Sequence, residues 1–282
     1  MNMYRYAMAF FVALGLSAIA HWRTDLFSRS KIDVPLLDQP DSISALDFEW
    51  PLRFRYLGKG RQCFAFESRD GRFVLKFFDR TNLDQPWQRF LPFSFAKKER
   101  EMRRWEDKVR IYPESYRLAL EKMPEETGLI VVHQGISSIR YPTIEIIDKA
   151  SRHFFIDLNR VPFVLQKKGS GKLLSHLSHA QSPLEFENMI EQFLAFHMKR
   201  ISLCIADGDR DIKRNYSWKG ETLLYIDPAR FSLEKKMKEG RRFEREWWGC
   251  TYRLRSWIAK NRPDKLEYFD RRVEQCKRKT AL

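Results

Sequence analysis

Ile205-Ala-Asp-Gly-Asp-Arg-Asp-Ile-Lys-Arg-Asn-Tyr-Ser-Trp218, followed by Glu221-Thr-Leu-Leu-Tyr-Ile-Asp-Pro-Ala-Arg-Phe231, decides how the rest of this chain is read. It sets Asp207, Asp209, Asp211 and Asn215 in a short loop and delivers a fourth carboxylate, Asp227, at the end of a run that reads as a strand. An isolated buried carboxylate is very costly. Acids gathered this way therefore serve a hard cation, serve a proton in motion, or lie in a solvated turn. Asp, Asn and Gly also cluster in turns for purely local reasons, so this stretch alone leaves the choice open.

Immediately upstream, Ser182-Pro-Leu-Glu-Phe-Glu-Asn-Met-Ile-Glu-Gln-Phe-Leu-Ala-Phe-His-Met198 opens with an N-cap residue and Pro at N1. It places Phe186, Met189, Ile190, Phe193 and Leu194 at helical spacing, which predicts a core helix leading into the acidic loop. His197 on it reads as a core or surface histidine. Further back, Phe54-Arg-Tyr-Leu-Gly-Lys-Gly-Arg-Gln-Cys-Phe-Ala-Phe66 alternates on each side of Gly58-Lys-Gly60, and Asp70-Gly71 supplies a turn before Phe73-Val-Leu-Lys-Phe-Phe78. Glycines let backbone N–H groups approach an anion closely, and a lysine inside an apolar strand is expensive unless its ammonium meets one. Lys76 is that lysine. The plain alternative is a β-meander whose lysine snorkels to an edge.

In this chain order the features resemble the protein-kinase-like phosphotransferases. In that family a loop aspartate orients the acceptor hydroxyl, an asparagine holds a metal, and a later aspartate holds Mg²⁺ on the ATP phosphates. The resemblance implies Asp209 as the loop acid, Asn215 and Asp227 as metal ligands, Gly58 and Gly60 over the phosphates, and Lys76 gripping them. It implies ATP and Mg²⁺ as cofactors. Asp209 lies six residues before Asn215 and Asp211 four before, against five in the family, so Asp207, Asp209 and Asp211 stay open as the base. Cys63 stands where a third glycine is usual. Glu99, Glu101 and Glu114 all qualify as the acid that would pair with Lys76. The implied fold is α+β and two-lobed, with a small β-rich N-lobe over 48–166 carrying a helical insertion and a helical C-lobe over 167–282.

Thr143–Ile147, His153–Leu158 and Val161–Gln166 read as further strands, and Lys167-Lys-Gly-Ser-Gly171 as a hinge or a Gly-rich turn. Residues 95–123 read as two helices. After Phe231 no Ala-Pro-Glu motif or activation segment follows. That departure points to a sugar, lipopolysaccharide or other small-molecule acceptor rather than a protein.

The chain has 282 residues, 43% of them hydrophobic, enough for a sizeable core, and 32% charged residues exclude an integral membrane bundle. Its formal net charge of +15 predicts attraction to polyanions. Residues 233–282 hold 16 Lys and Arg against 8 Asp and Glu in a helical pattern with Phe243, Trp247, Leu254, Trp257 and Ile258 as its core side. The outward basic face suits anionic lipid. Nucleic acid is supported by charge alone and is not the expected partner. Residues 1–22 carry an apolar run, Ala7 to Ala20, short of the ~20 residues that span a bilayer. It reads as a hydrophobic helix anchoring a cytoplasmic domain, with signal cleavage near Ala20 and export as the alternative. Residues 23–47 read as a tether. Cys63, Cys204, Cys250 and Cys276 show no metal spacing and are expected to be reduced and buried. The function expected is transfer of phosphate from ATP to a hydroxyl acceptor at the membrane, such as a glycolipid or lipopolysaccharide sugar. A catalytically inactive, membrane-tethered interaction module of the same fold is the alternative.

Overall fold

The computed structural model describes residues 6–8, 10–12, 15, 24–34, 36, 41–43, 48–60, 62–79, 112–135, 137, 139–237 and 239–280. The chain is mixed α+β and divides into two compact units, Met1–Asp41, Ala45–Arg100 and Val131–Leu165 in the first and Ser42–Ser44, Glu101–Ile130 and Gln166–Leu282 in the second. Most of the apolar run at 1–22 lies outside the described residues. Among those described, no helix is long and apolar enough to cross a membrane, so the expected N-terminal spanning helix finds no support.

The first unit carries most of a sheet of β1 (Arg53–Lys59), β2 (Cys63–Ser68), β3 (Phe73–Phe78), β4 (Leu129–His133), β5 (Thr143–Ile147), β6 (His153–Asp157) and β7 (Phe163–Lys167). These run in the order β4-β7-β3-β2-β1-β5-β6. The β2–β3 turn forms where Asp70 and Gly71 predict it: the Asp70 carboxylate accepts from Ser68 Oγ and Arg72 N, and Gly71 takes φ +71°. β4 was not delimited by the sequence pattern, because five consecutive buried residues carry no period.

Register sorts the side chains of this sheet. Residues opposite one another on antiparallel strands share a face. Phe64 pairs with Phe77 and Phe66 with Leu75, all four fully buried, while Ala65 pairs with both Lys76 and Gly58. Gly58, Ala65 and Lys76 therefore line up across three strands on the face opposite the phenylalanines. A bulge between Tyr56 and Gly58 sets this alignment.

The phenylalanine face is covered by residues 24–34. Phe27 meets Phe64, Phe66 and Phe154 edge-on at 5.1, 5.2 and 5.4 Å, and Ile32 is fully buried. Tyr56 Oη donates to Asp25 at 2.6 Å. Farther along, Asp41 accepts from Tyr141 Oη at 2.6 Å and lies 2.8 Å from His133 Nδ1. The tether expected over 23–47 is thus a packed segment at both of these points, since two apolar side chains, Phe27 and Ile32, and two carboxylates, Asp25 and Asp41, find partners there.

The second unit holds α1 (112–122), α2 (Pro124–Thr127), β8 (Ser170–Lys172), α3 (Leu173–His179), α4 (Pro183–Ser202), β9 (Ile205–Asp207), β10 (Tyr216–Lys219), β11 (Thr222–Tyr225), β12 (Phe231–Leu233), α5 (Gly240–Asn261) and α6 (Leu266–Thr280). In α1, Ser115 Oγ donates to Phe231 O at 2.7 Å and Tyr116, Ala119 and Met123 are buried, while residues 95–111 of the expected helical insertion lie outside the described residues. α4 starts as predicted: Ser182 Oγ accepts from Glu185 N, Pro183 stands at N1, and Phe186, Met189, Ile190, Phe193 and Leu194 are buried. The Gly-rich segment after Lys167 forms β8 against β10, with Gly169 so close that a Cβ would fall 2.3 Å from Ser217 Oγ. α5 buries Phe243, Trp247, Leu254 and Ile258 and leaves Trp257 half-exposed. Cys250 and Cys276 are buried, whereas Cys63 and Cys204 are half-exposed, which corrects the expectation for two of the four thiols.

Candidate functional site

The acidic loop belongs to the second unit and is held from three sides. β9 delivers Asp207, the hairpin β10–β11 delivers Asn215 at its start and Asp227 just after its end, and β12 pairs back onto β9 with Asp207 opposite Phe231. Tyr225 lies at the centre. Its hydroxyl lies 2.7 Å from Asp207 Oδ2 and 2.9 Å from the Asp209 carbonyl, and accepts from Asn215 Nδ2 at 3.2 Å. Burial first, and the Asp207 carboxylate second, push the phenol well above its usual range, so it remains a donor. Asn215 Nδ2 also donates to the Asp209 carbonyl at 2.8 Å. The fold therefore brings Asp209 and Asn215 together despite the six-residue spacing, because the extra residue is absorbed in a turn in which Asn215 N donates to Asp211 O.

The three loop acids have different surroundings. Asp207 is buried, and its Oδ1 accepts from Asp209 N at 2.8 Å. Asp211 is engaged by Lys213 N and by the Arg214 guanidinium at 2.7 Å. Burial works against these contacts, which nonetheless hold its carboxyl below the usual range. Asp209 is half-exposed, and among the described residues nothing hydrogen-bonds its carboxylate. It is the acid of the three whose carboxylate is left without a hydrogen bond among the described residues. Asp227 is also half-exposed and lies 3.3 Å from Tyr116 Oη.

Behind the loop lies a buried charge cluster that sequence reasoning missed. Arg200, fully buried near the end of α4, donates to Glu246 at 2.8 Å and to the Ile205 carbonyl at 2.5 Å. Glu246, on α5, also binds Arg210 of the acidic loop and lies 3.4 Å from Asp207 N. The Arg210 guanidinium crosses α5 where Gly249 leaves room, 2.6 Å from where a Cβ would stand. His197 is buried and its Nε2 lies 2.9 Å from Tyr216 Oη. The one available signal was Glu246 inside an otherwise apolar helical stripe.

Burial raises the Asp207 carboxyl to about 6, against the pull of Arg200 and Tyr225. An acid whose folded pKa exceeds its unfolded one holds its proton more tightly in the folded chain. The stability it lends is therefore complete below the unfolded value of 3.8 and lost as pH rises through about 6. The stability of wild type minus that of Asp207→Asn is expected to fall across this window and to stay flat above it, as read from urea unfolding at a series of pH values. A difference that rises with pH would show that Asp207 is held as a carboxylate.

In the first unit, Lys76 is half-buried beside Ala65. A Cβ built on Gly58 would meet nothing described within 4 Å, and on Gly60 the Cys63 carbonyl at 3.7 Å and the Cys63 Sγ at 4.0 Å, both ordinary contacts. Among the described residues, neither glycine is required by packing. Lys59 between them turns to the other face, where it pairs with buried Asp79 at 2.9 Å and lies over the Phe64 ring. Glu114 is exposed on the first turn of α1, while Glu99 and Glu101 lie outside the described residues.

The donor types suit the expected cofactor. Mg²⁺ takes one or two protein oxygens and completes its shell with water and phosphate, which matches one carboxylate, Asp227, and one amide, Asn215. Among the described residues no group of three or more His, Cys, Asp or Glu could hold a metal by itself.

No family model matches the sequence, and no curated protein matches it. Among solved structures it is similar to the complex of Rv3197 with erythromycin from Mycobacterium tuberculosis, at 11% identity and a TM-score of 0.36, over 67% of this chain. The alignment spans about half, 49%, of that chain.

Proposed function

We propose that the chain is a two-lobed, protein-kinase-like phosphotransferase that moves phosphate from ATP to a hydroxyl acceptor at a membrane, with a glycolipid or lipopolysaccharide sugar as the acceptor class. The observation that carries this reading is the gathering of Asp209, Asn215 and Asp207 on the Tyr225 hydroxyl while the Asp209 carboxylate stays open. The alignment of Gly58, Ala65 and Lys76 on one face of the sheet supports it from the other unit.

In this reading Asp209 orients the acceptor hydroxyl and accepts its proton. Asn215 and Asp227 hold Mg²⁺, Lys76 neutralises phosphate charge, and Gly58 and Gly60 allow close backbone approach. Bound Mg²⁺-ATP supplies the phosphoryl group, and catalysis is mostly positioning and charge stabilisation. Only residues 234–239 separate β12 from α5, too few for a peptide-docking activation segment, which favours a small acceptor. The basic α5 and α6 and the apolar run at 1–22 favour a membrane-anchored, cytoplasmic setting.

The test is the unfolding midpoint of the full chain with and without Mg²⁺-ATP. A ligand at 100 times its Kd stabilises by about 2.7 kcal/mol, and that gain is expected in wild type and absent in Asp227→Asn and Lys76→Ala. If wild type gains nothing, the chain is the catalytically inactive interaction module that the missing third glycine at Cys63 and the longer loop also suit.

A further inference from the structure

α5 has two sides. Phe243, Trp247, Leu254 and Ile258 bury one of them, as described above. On the other, Arg241, Arg245, Trp248 and Tyr252 recur at intervals of four, three and four residues, which places them on one helical stripe. All four are exposed, Trp248 by 60% and Tyr252 by 49%. Trp248 and Tyr252 thus stand exposed side by side at one end of the stripe, with the two arginines at the other.

The charges around the stripe are unevenly matched. Glu244 is paired with Lys277 at 2.8 Å, Asp270 with Arg255 at 2.7 Å, and Glu234 with Arg242 at 3.2 Å. Arg241 and Arg245 have no ion pair among the described residues. These three acids are thus neutralised in place, and Arg241 and Arg245 outnumber the one neighbouring acid without an ion pair among the described residues, Glu239, on a segment already rich in Lys and Arg.

We infer that this stripe is a docking face for an anionic phospholipid surface, with Trp248 and Tyr252 entering the headgroup layer and Arg241 and Arg245 binding lipid phosphates. The two rings stack on one another with centroids 4.5 Å apart and an interplanar angle of 23°. Their facing sides are spent on each other, so they are poorly placed to interleave with nucleic-acid bases. What they present is a joined apolar slab, and Trp and Tyr side chains of this amphipathic kind settle at membrane interfaces. Flanking arginines match the negative potential of anionic leaflets. The inference rests on the membrane setting of the proposed function, for which it names the contacting surface, and not on nucleotide chemistry.

The test uses the full chain with vesicles of phosphatidylcholine, with and without phosphatidylglycerol. The apolar run at 1–22 is common to every variant, so the differences report the stripe. Each Arg near an anionic surface is worth about 1 kcal/mol, so Arg241→Gln with Arg245→Gln is expected to weaken binding to phosphatidylglycerol vesicles about 30-fold. Binding to pure phosphatidylcholine should hardly change. Brominated acyl chains are expected to quench wild-type tryptophan fluorescence more than that of Trp248→Phe, a substitution at an exposed position that leaves the core intact. Equal affinity of wild type and the double arginine variant for phosphatidylglycerol vesicles overturns the inference, as does quenching that survives Trp248→Phe in full. So does a double variant that loses only its retention on a homopolymeric RNA, because the stripe would then serve nucleic acid. None of these results bears on the Mg²⁺-ATP shift.

Discussion

Glu246→Ala is expected to lower the stability of the chain by about 3–5 kcal/mol, read from the denaturant midpoint, because it leaves a fully buried guanidinium without its counterion. Glu246 is 1% exposed and bridges two arginines, Arg200 behind it and Arg210 in the acidic loop. Burial alone would raise the Glu246 carboxyl, but Arg200 and Arg210 together outweigh burial and hold it below the usual range. A group with a depressed folded pKa stabilises above its unfolded value and loses that contribution as pH falls. The penalty of Glu246→Ala should therefore shrink on acidification below the unfolded value of 4.5, opposite in sign to the Asp207 effect. Removing both partners is a different matter. Replacing a buried ion pair by apolar residues of similar volume is often neutral, so Glu246→Ala should cost much less on an Arg200→Met background. A loss below 1 kcal/mol in the single variant, or strict additivity in the double, would mean that Arg200 is satisfied without Glu246, by the Ile205 carbonyl, Cys250 Sγ and His197 Nδ1.

This cluster also marks where sequence reading stops. The β-meander from Arg53 to Phe78, the capped helix from Pro183, and the buried side of α5 were legible because burial imposes a period on apolar residues and turns demand Asp-Gly or Ser-Pro at fixed places. The acidic loop was legible as a set of residues. Which acid stays open was not, since that depends on Tyr225 and Asn215 meeting the Asp209 carbonyl from another strand. Arg200 and Arg210 look like ordinary surface charges in one dimension, Glu246 stands out only as one acid in a buried stripe, and the three become partners only when two helices and a loop converge. Residues 24–34 failed for a related reason. Phe27 and Ile32 are too few and too irregularly placed to show a period, yet each finds a complete pocket on a sheet formed by residues far along the chain.

The same segment carries the second large effect. Phe27→Ala removes a ring that is 2% exposed and packed edge-on against three others, and truncating such a ring costs about 3–5 kcal/mol in lost transfer energy and residual cavity. The backbone leading to it bears this out. Asp25 and Leu26 adopt left-handed conformations, with φ of 46° and 57°, which cost roughly 1–2 kcal/mol each for residues other than glycine. Such a turn persists only when its surroundings fix it. Here Asp25 accepts from Tyr56 and Lys149, and Arg152 donates to the Phe27 carbonyl at 3.0 Å. Phe155→Ala, at a position 67% exposed, is the matched control and should stay within about 0.5 kcal/mol of wild type. If Phe27→Ala behaves like that control, residues 24–34 only rest on the sheet and can be removed without loss. If it costs several kcal/mol, these residues complete the first unit's core. A chain begun after residue 34 would then expose the Phe64 and Phe66 face, and its weaker nucleotide-dependent stabilisation would reflect a damaged sheet rather than a missing site.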